Sequence, residues 1–227
     1  SHHTPDTTNL VSGESARMTS TVLLTLGRLP KGLDLARSFH KAGWRVIIAE
    51  PARAHLAQSS RAIDHIYHVP APATDKAAYL QRLREIIRTD AVDLVIPVSE
   101  EIMYVSLLTR EAEFRDRLFC MNAASIHSVH DKEQFASLCH SLALGAPETR
   151  RASDAAAKDI AARGPFITKP VHSCAGDRIR FYEAGQPFEP RDDQLVQRLI
   201  RGQEVSSCSL AVRGEVIATS LYRGTLM

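Results

Sequence analysis

The sequence predicts a parallel-sheet α/β domain followed by an α+β segment. Three observations carry that expectation. Short apolar, partly β-branched runs recur at Thr21–Leu26, Arg45–Ala49 and Leu94–Val98, the pattern of buried strands. Segments with helical spacing stand between them, with Leu33, Ala36 and Phe39 in one and Leu80, Leu83 and Ile87 in another. Strands separated by helix-length stretches run parallel through right-handed crossovers. After residue 125 the texture shifts to shorter strands and turn residues, which sets a boundary there.

Taken in order, Thr21–Leu26 is the first strand and Gly27–Gly32 the turn after it. A helix follows and closes at Gly43, with Trp44 packing at its end. Arg45–Ala49 is the second strand, and Ile66–Val69 a short third before Pro70 and Pro72. Lys76–Arg88 is a helix, Leu94–Val98 a strong strand, Ile102–Leu108 a helix and Leu118–Met121 a further strand. Ser125–Val129 leads into a helix over Asp131–Leu142, with Asp131 at its N-cap. Ala155–Arg163 is helical. Strands are expected at Gly164–Pro170, Ile179–Tyr182, Leu195–Ile200, Val205–Val212 and Val216–Leu221, the last two joined by a hairpin turn at Arg213-Gly214. Residues 1–19 read as a tag remnant and disordered tail, with Met18 a native start. There is no internal repeat.

Composition narrows the function classes. The 227 residues are 44% hydrophobic and 24% charged, an ordinary globular mixture. The net charge is +2, too small an excess for a nucleic-acid partner that must be neutralised at many phosphates. No apolar run reaches the roughly 18–20 residues of a membrane helix. The four cysteines are scattered with no CxxC pair, which argues against a disulfide scaffold or zinc ribbon and for reduced thiols in a cytoplasmic setting.

Three places could carry chemistry. Gly27-Arg-Leu-Pro-Lys-Gly32 lies at the carboxyl end of a parallel strand, where such sheets bind ligands. It is neither a dinucleotide fingerprint nor a Walker loop, so a plain strand–helix connection is the competing reading. Lys169 ends a strand ahead of a loop of small residues, Ser173 to Gly176. Small residues let backbone N–H groups approach phosphate, and the lysine adds a point charge, although Lys-Pro beside a surface loop is also common. Third, a strand over Leu195–Ile200 followed by Glu204 offers backbone groups to an adenine edge and a carboxylate to ribose hydroxyls. Other groups read both ways. Glu100-Glu101 is either a substrate contact or a pair of acids favoured at a helix start. His65 and His68 fall on opposite faces of a strand, which is poor metal geometry. Cys174 with His172 suggests a thiol nucleophile, against a small side chain in a phosphate loop.

Taken together, in order, these stretches resemble the ATP-grasp superfamily, in particular biotin carboxylase, the carbamoyl-phosphate synthase large chain and amino-acid ligases. The residues that carry it are Asp131-Lys132-Glu-Gln-Phe…Gly145-Ala-Pro147, Phe166-Ile-Thr-Lys169-Pro-Val-His-Ser173-Cys-Ala-Gly176 and Val196-Gln-Arg-Leu-Ile-Arg-Gly202-Gln-Glu204. The resemblance implies that residues 20–124 are a Rossmann-like pre-ATP-grasp domain. Residues 125–227 would be the first part of the nucleotide-binding fold, incomplete at the C-terminus. It assigns Lys132 to the α-phosphate, Lys169 to phosphate and adenine, and the loop from Ser173 to Asp177, with Gly176, to a flexible flap over the phosphates. Gln197 stands where relatives commonly carry Glu, near the adenine amine. Arg198 and Leu199 would supply the backbone C=O and N–H to adenine, and Glu204 would bind ribose.

The resemblance further implies ATP with Mg²⁺, and a ligase that activates a carboxylate as an acyl phosphate for attack by an amine. Small-molecule carboxylate and amine substrates are the expected partners, with a homodimer as the expected assembly. The family's magnesium ligands lie beyond the hairpin that follows Glu204, so the metal ligands are expected downstream of Met227. No metal ligand and no catalytic residue is assigned within the chain. The expectation is a fragment that does not turn over ATP alone. The alternative is a non-catalytic nucleotide- or metabolite-binding module that uses the first domain.

Overall fold

The computed structural model describes residues 19–173 and 178–223. Residues 1–18, within the stretch expected as a tag remnant and tail, residues 174–177, with Cys174 and Gly176 of the expected flap, and residues 224–227 lie outside the described residues. The chain forms two compact units, one ending at His127 and the other beginning at Ser128.

In the first unit β1 (Thr21–Leu24) leads to α1 (Pro30–Lys41), then β2 (Arg45–Glu50), a 3₁₀ turn at Leu56–Ser59 and β3 (His65–His68). Then come α2 (Lys76–Thr89), β4 (Leu94–Ile96), α3 (Ile102–Val105), a 3₁₀ turn at Ser106–Arg110 and α4 (Ala112–Arg115). The sheet is parallel in the order β3-β2-β1-β4. The chain moves outward from β1 to β3 and then returns to β1's other side, so the strand order reverses between β1 and β4. In open sheets the cleft outside the strand ends at such a reversal takes ligands.

Alternation along the strands builds two cores. Val22, Leu24, Val46 and Ile48 face Ala36 and Phe39 of α1. Leu23, Ile47, Ala49 and Val95 face Tyr79, Leu83 and Ile87 of α2 with Phe114. Helix starts follow local chemistry. Pro30 sits at the first position of α1, where its missing N–H costs nothing. Asp75 caps α2 by accepting from Ala78 N at 2.9 Å. At the other end of α1, Gly43 takes φ +83°, the left-handed closing residue the sequence predicts. Trp44 meets Phe39 edge-on at 5.3 Å.

Two expectations change. The helix expected over Ile102–Leu108 divides into α3 and a 3₁₀ turn. The strand expected at Leu118–Met121 is only an isolated bridge between Val95 and Leu118. It is held by Val95 N to Arg117 O and Phe119 N to Val95 O, and Phe119 and Met121 are too exposed to extend it as a buried strand.

After α5 (Ala123–His130) the second unit carries α6 (Lys132–Ser141), β5 (Thr149–Arg151), α7 (Ala155–Arg163) and β6 (Phe166–Pro170). It continues with β7 (Arg180–Tyr182), β8 (Gln194–Arg198), β9 (Ser206–Val212) and β10 (Glu215–Tyr222). Ser125–Val129, expected as a lead-in, is part of α5. An antiparallel sheet runs β5-β8-β6-β7. Phe166 and Val196 bury one face against Ala157 and Ile160 of α7. Phe166 also stacks on Tyr182 at 4.8 Å. β9 and β10 form a separate hairpin. At its turn Arg213 and Gly214 both have positive φ, 53° and 85°, as a two-residue type I′ turn requires. Within the described residues no helix is long and apolar enough to cross a membrane.

Candidate functional site

The first sequence candidate, the turn after β1, is closed by its own unit. Glu50, fully buried at the end of β2, accepts from Gly27 N at 2.8 Å and Arg28 N at 3.1 Å through one oxygen. Its other oxygen accepts from Ala52 N at 2.8 Å and Arg28 Nη1 at 3.3 Å. The N–H groups that could face a phosphate are therefore spent on a side chain. The glycines have packing reasons as well. A Cβ at Gly27 would lie 2.7 Å from His55 Nδ1, and one at Gly32 would lie 2.5 Å from Leu26 O. The plain strand–helix connection is the reading that this geometry supports.

The other two candidates converge in the second unit. Asp131 caps α6, its Oδ1 accepting from Glu133 N at 2.9 Å and Gln134 N at 3.0 Å. Burial pushes its carboxyl up, but the N–H groups of Gln134 and Glu133 outweigh that and hold it below the ordinary carboxylate range. The cap fixes where α6 begins, and so where Lys132 stands. Lys132 Nζ donates to Ser173 O at 2.7 Å, Ser173 Oγ at 3.2 Å and Val171 O at 3.4 Å. Its backbone N–H also donates to Val171 O, at 3.3 Å. The start of α6 thus holds the segment that leaves β6, up to Ser173.

Lys169 lies on the face of β6 opposite Phe166 and Thr168, which are buried in the unit's core. Its Nζ donates to Gln197 Oε1 at 2.9 Å, and Gln197 Nε2 donates to Thr149 Oγ1 at 2.9 Å. Burial, and then the positive charge of Lys132, lower its pKa. Two ammonium groups from different elements therefore lie close enough to act on each other, and the described side-chain partner of Lys169 is a neutral amide. Two positive charges therefore stand beside the segment that leaves β6.

Thr149 is the residue that sequence reasoning missed. β5 is three residues long, Thr-Arg-Arg, with no apolar period to mark it. A β-branched residue soon after Pro147 is the one signal present.

The remaining candidates are placed less tightly. Arg198 N donates to Glu148 O at 2.9 Å and Leu199 N to Pro165 O at 3.0 Å. Successive N–H groups thus turn to opposite edges of the strand, and the one expected to meet adenine from Leu199 is engaged inside the unit. Glu204 is exposed, in the connection between β8 and β9. Among the described residues no hydrogen bond or ion pair ties it to either lysine. Gly176 lies outside the described residues. His172, stacked on His130 at 6.0 Å, places Nε2 3.9 Å from Asp131 Oδ2.

A cavity of about 650 Å³ opens beside α6 and β5, lined by residues that include Glu133, His140, Glu148, Thr149 and Arg150. Neither lysine lines it. Its two carboxylates are paired with Arg151 and Arg163. Among the described residues no group of three or more His, Cys, Asp or Glu side chains could hold a metal ion.

No protein-family model and no curated protein matches the sequence. Solved structures do. N5-carboxyaminoimidazole synthetase from Staphylococcus aureus, complexed with ADP, superposes with a TM-score of 0.65 at 15% identity, over 87% of this chain and 52% of that one. L-amino acid ligase from Bacillus licheniformis gives 0.64 at 14% identity, over 88% and 49%. The biotin carboxylase domain dimer of 2-oxoglutarate carboxylase from Hydrogenobacter thermophilus, in complex with MgADP, ADP and bicarbonate, gives 0.62 at 15% identity, over 84% and 46%. The chain spans about half the length of the solved structures it matches. Over that span it carries an ATP-grasp-like fold, the α/β architecture that the order of its sequence motifs implies.

Proposed function

We propose that this chain is the nucleotide-holding part of an ATP-dependent ligase of the ATP-grasp type, which activates a carboxylate as an acyl phosphate for attack by an amine. The observation that carries the reading is the pair of ammonium groups. Lys132 at the start of α6 and Lys169 on β6 are close enough for one to lower the pKa of the other. They flank the segment from Val171 to Ser173 that enters the small-residue loop. A triphosphate would bring negative charge to both ammonium groups, and charge-assisted hydrogen bonds to it would be stronger than those to neutral oxygens.

The nucleoside end follows from β8. Adenine needs a C=O for its amine and an N–H for the adjoining ring nitrogen, both on one strand edge. Arg198 and Leu199 turn to opposite edges, so the pair on one edge is Arg198 C=O with the N–H of Ile200, one residue beyond the expected donor. Gln197 is held between Lys169 and Thr149 and sets the wall of that pocket. Glu204 takes the ribose hydroxyls, and Ser173 and Gly176 close over the phosphates. ADP in the Staphylococcus aureus structure and MgADP in the biotin carboxylase domain support the same ligand here.

The chain's own residues bind and orient the nucleotide. Mg²⁺, when bound, would neutralise phosphate charge, but the described side chains form no site for it. The test is ATP binding by calorimetry. Lys169→Ala in a folded chain should weaken it by roughly 1.5–3 kcal/mol, and unchanged affinity would remove Lys169 from the site.

A further inference from the structure

The cavity between α6 and β5, about 650 Å³ in volume, holds neither of the two lysines. It lies beside a strand with one open side, because β5 is an edge strand paired only with β8. Arg198 N donates to Glu148 O and Ala152 N to Gln194 O, both at 2.9 Å. In an antiparallel ladder these bonds make Glu148, Arg150 and Ala152 the positions tied to β8, with Thr149 and Arg151 between them. The N–H and C=O of Thr149 therefore point away from β8, to the open side of β5. The C=O accepts from Arg150 Nη1 at 2.8 Å. The N–H has no partner among the described residues.

The charges that line the cavity do not cancel. Glu133 is paired with Arg151 at 2.6 Å and Glu148 with Arg163 at 2.7 Å, so each acid has its own counter-charge. Arg150 also lines the cavity, and among the described residues it has no acid partner. Its side chain bonds only the neutral Thr149 carbonyl, which leaves most of the guanidinium's N–H donors unspent. His140, in the last turn of α6, and the Ser137 hydroxyl stand on the same lining. Ala136 and Pro147 supply apolar wall. An exposed ion pair alone is weak. A backbone N–H fixed by strand register beside the guanidinium adds direction to the charge.

A cation would meet an unpaired guanidinium here, and a wholly apolar ligand would take water from donors without replacing it. A multiply charged phosphate would find one unpaired cation with two carboxylates close by. A single carboxylate matches in charge, and its two oxygens fit a guanidinium fork. We propose that the cavity between α6 and β5 binds the carboxylate of a small organic acid, held by the Arg150 guanidinium and the Thr149 N–H. The site is separate from the lysine pair and stands without the function proposed above. The two places meet in one residue, because Thr149 Oγ1 also accepts from Gln197, the partner of Lys169.

The experiment titrates the whole ¹⁵N-labelled chain with sodium propionate, and in parallel with its neutral isostere propionamide, at ionic strength matched with sodium chloride. The expected result is a saturable shift at the Thr149 N–H and the Arg150 side-chain Nε–H with propionate only. Arg150→Met, shown to be folded by its melt, should abolish the Thr149 response. Arg150→Lys keeps the charge but not the fork, and should weaken binding roughly threefold to tenfold. No saturable shift, an equal response to propionamide, or an undiminished Thr149 response in Arg150→Met would overturn the site. A shift at Arg150 with Thr149 unmoved would be ion pairing at the surface, and would overturn it too. ATP titration of the same sample separates the two readings. A propionate response without ATP binding keeps this site and removes the proposed nucleotide function, and ATP binding without a propionate response does the reverse.

Discussion

Lys169 and Gln197 are diagonal neighbours across β6 and β8, and Thr149 stands directly opposite Gln197 on β5. Ammonium, amide and hydroxyl therefore run across three strands on one face, with Nζ to Oε1 and Nε2 to Oγ1 both 2.9 Å. The pair of bonds orients the amide. Gln197→Leu would strip Lys169 of its acceptor and Thr149 of its donor, at a cost of about 1–3 kcal/mol by chemical denaturation. Gln197→Glu keeps an acceptor for the lysine and should lose less. Equal losses for the two would mean that the polar face does not stabilise the sheet.

Lys169 has a lowered pKa, caused first by burial and then by Lys132. The sign follows. Below the lowered value the fold carries a charge that the unfolded chain holds more easily, and that burden lifts as pH rises from the lowered value toward the ordinary lysine value. Bound nucleotide reverses the shift by supplying negative charge. NMR titration of Lys169 Nζ should give a higher pKa with ADP than without it. An unmoved or lower value would place the phosphates elsewhere.

Asp131 positions Lys132 through the cap of α6. Asp131→Ala should cost about 0.5–2 kcal/mol of stability, while Asp131→Asn keeps a capping oxygen and loses little. The Asp131 carboxyl is held below its ordinary value, so its contribution is present above the ordinary carboxylate pKa and lost as pH falls through the lowered one. The stability gap between wild type and Asp131→Ala should therefore shrink in acid. A gap independent of pH would mean that the charge plays no part.

Gly32 is fixed by packing, because a Cβ there meets Leu26 O at 2.5 Å. Gly32→Ala should push α1 off β1 and destabilise by about 1–3 kcal/mol. Gly145→Ala, where nothing lies within 4 Å, should be close to neutral in the same melt.

Much of this was legible from pattern. The alternation of apolar runs with helical periods gives a parallel sheet, though not its strand order, since Val22, Leu23 and Leu24 can bury both faces only if covered by helices on each side. Asp131 reads as a cap from its place before Lys132, and Arg213-Gly214 as a hairpin turn. The misses have physical causes. β5 is Thr-Arg-Arg, defined by its neighbour β8 rather than by its own pattern. Leu118–Met121 looks apolar enough for a strand but makes a single bridge. That the N–H groups of Arg198 and Leu199 turn to opposite edges depends on register, which residue type does not encode. Glu50 consuming the N–H groups of Gly27 and Arg28 is a contact over more than twenty residues and leaves no local trace.

The account rests on two lysines sharing one polyanion, and a double-mutant cycle on ATP affinity tests that most directly. Calorimetry would compare wild type, Lys132→Met, Lys169→Met and the double variant, each shown to be folded by circular dichroism. The account predicts that each single change weakens ATP by roughly tenfold or more. It also predicts that the double change departs from additivity by about 0.5–3 kcal/mol, as for groups sharing a partner. ATP affinity unchanged in both folded single variants would contradict it.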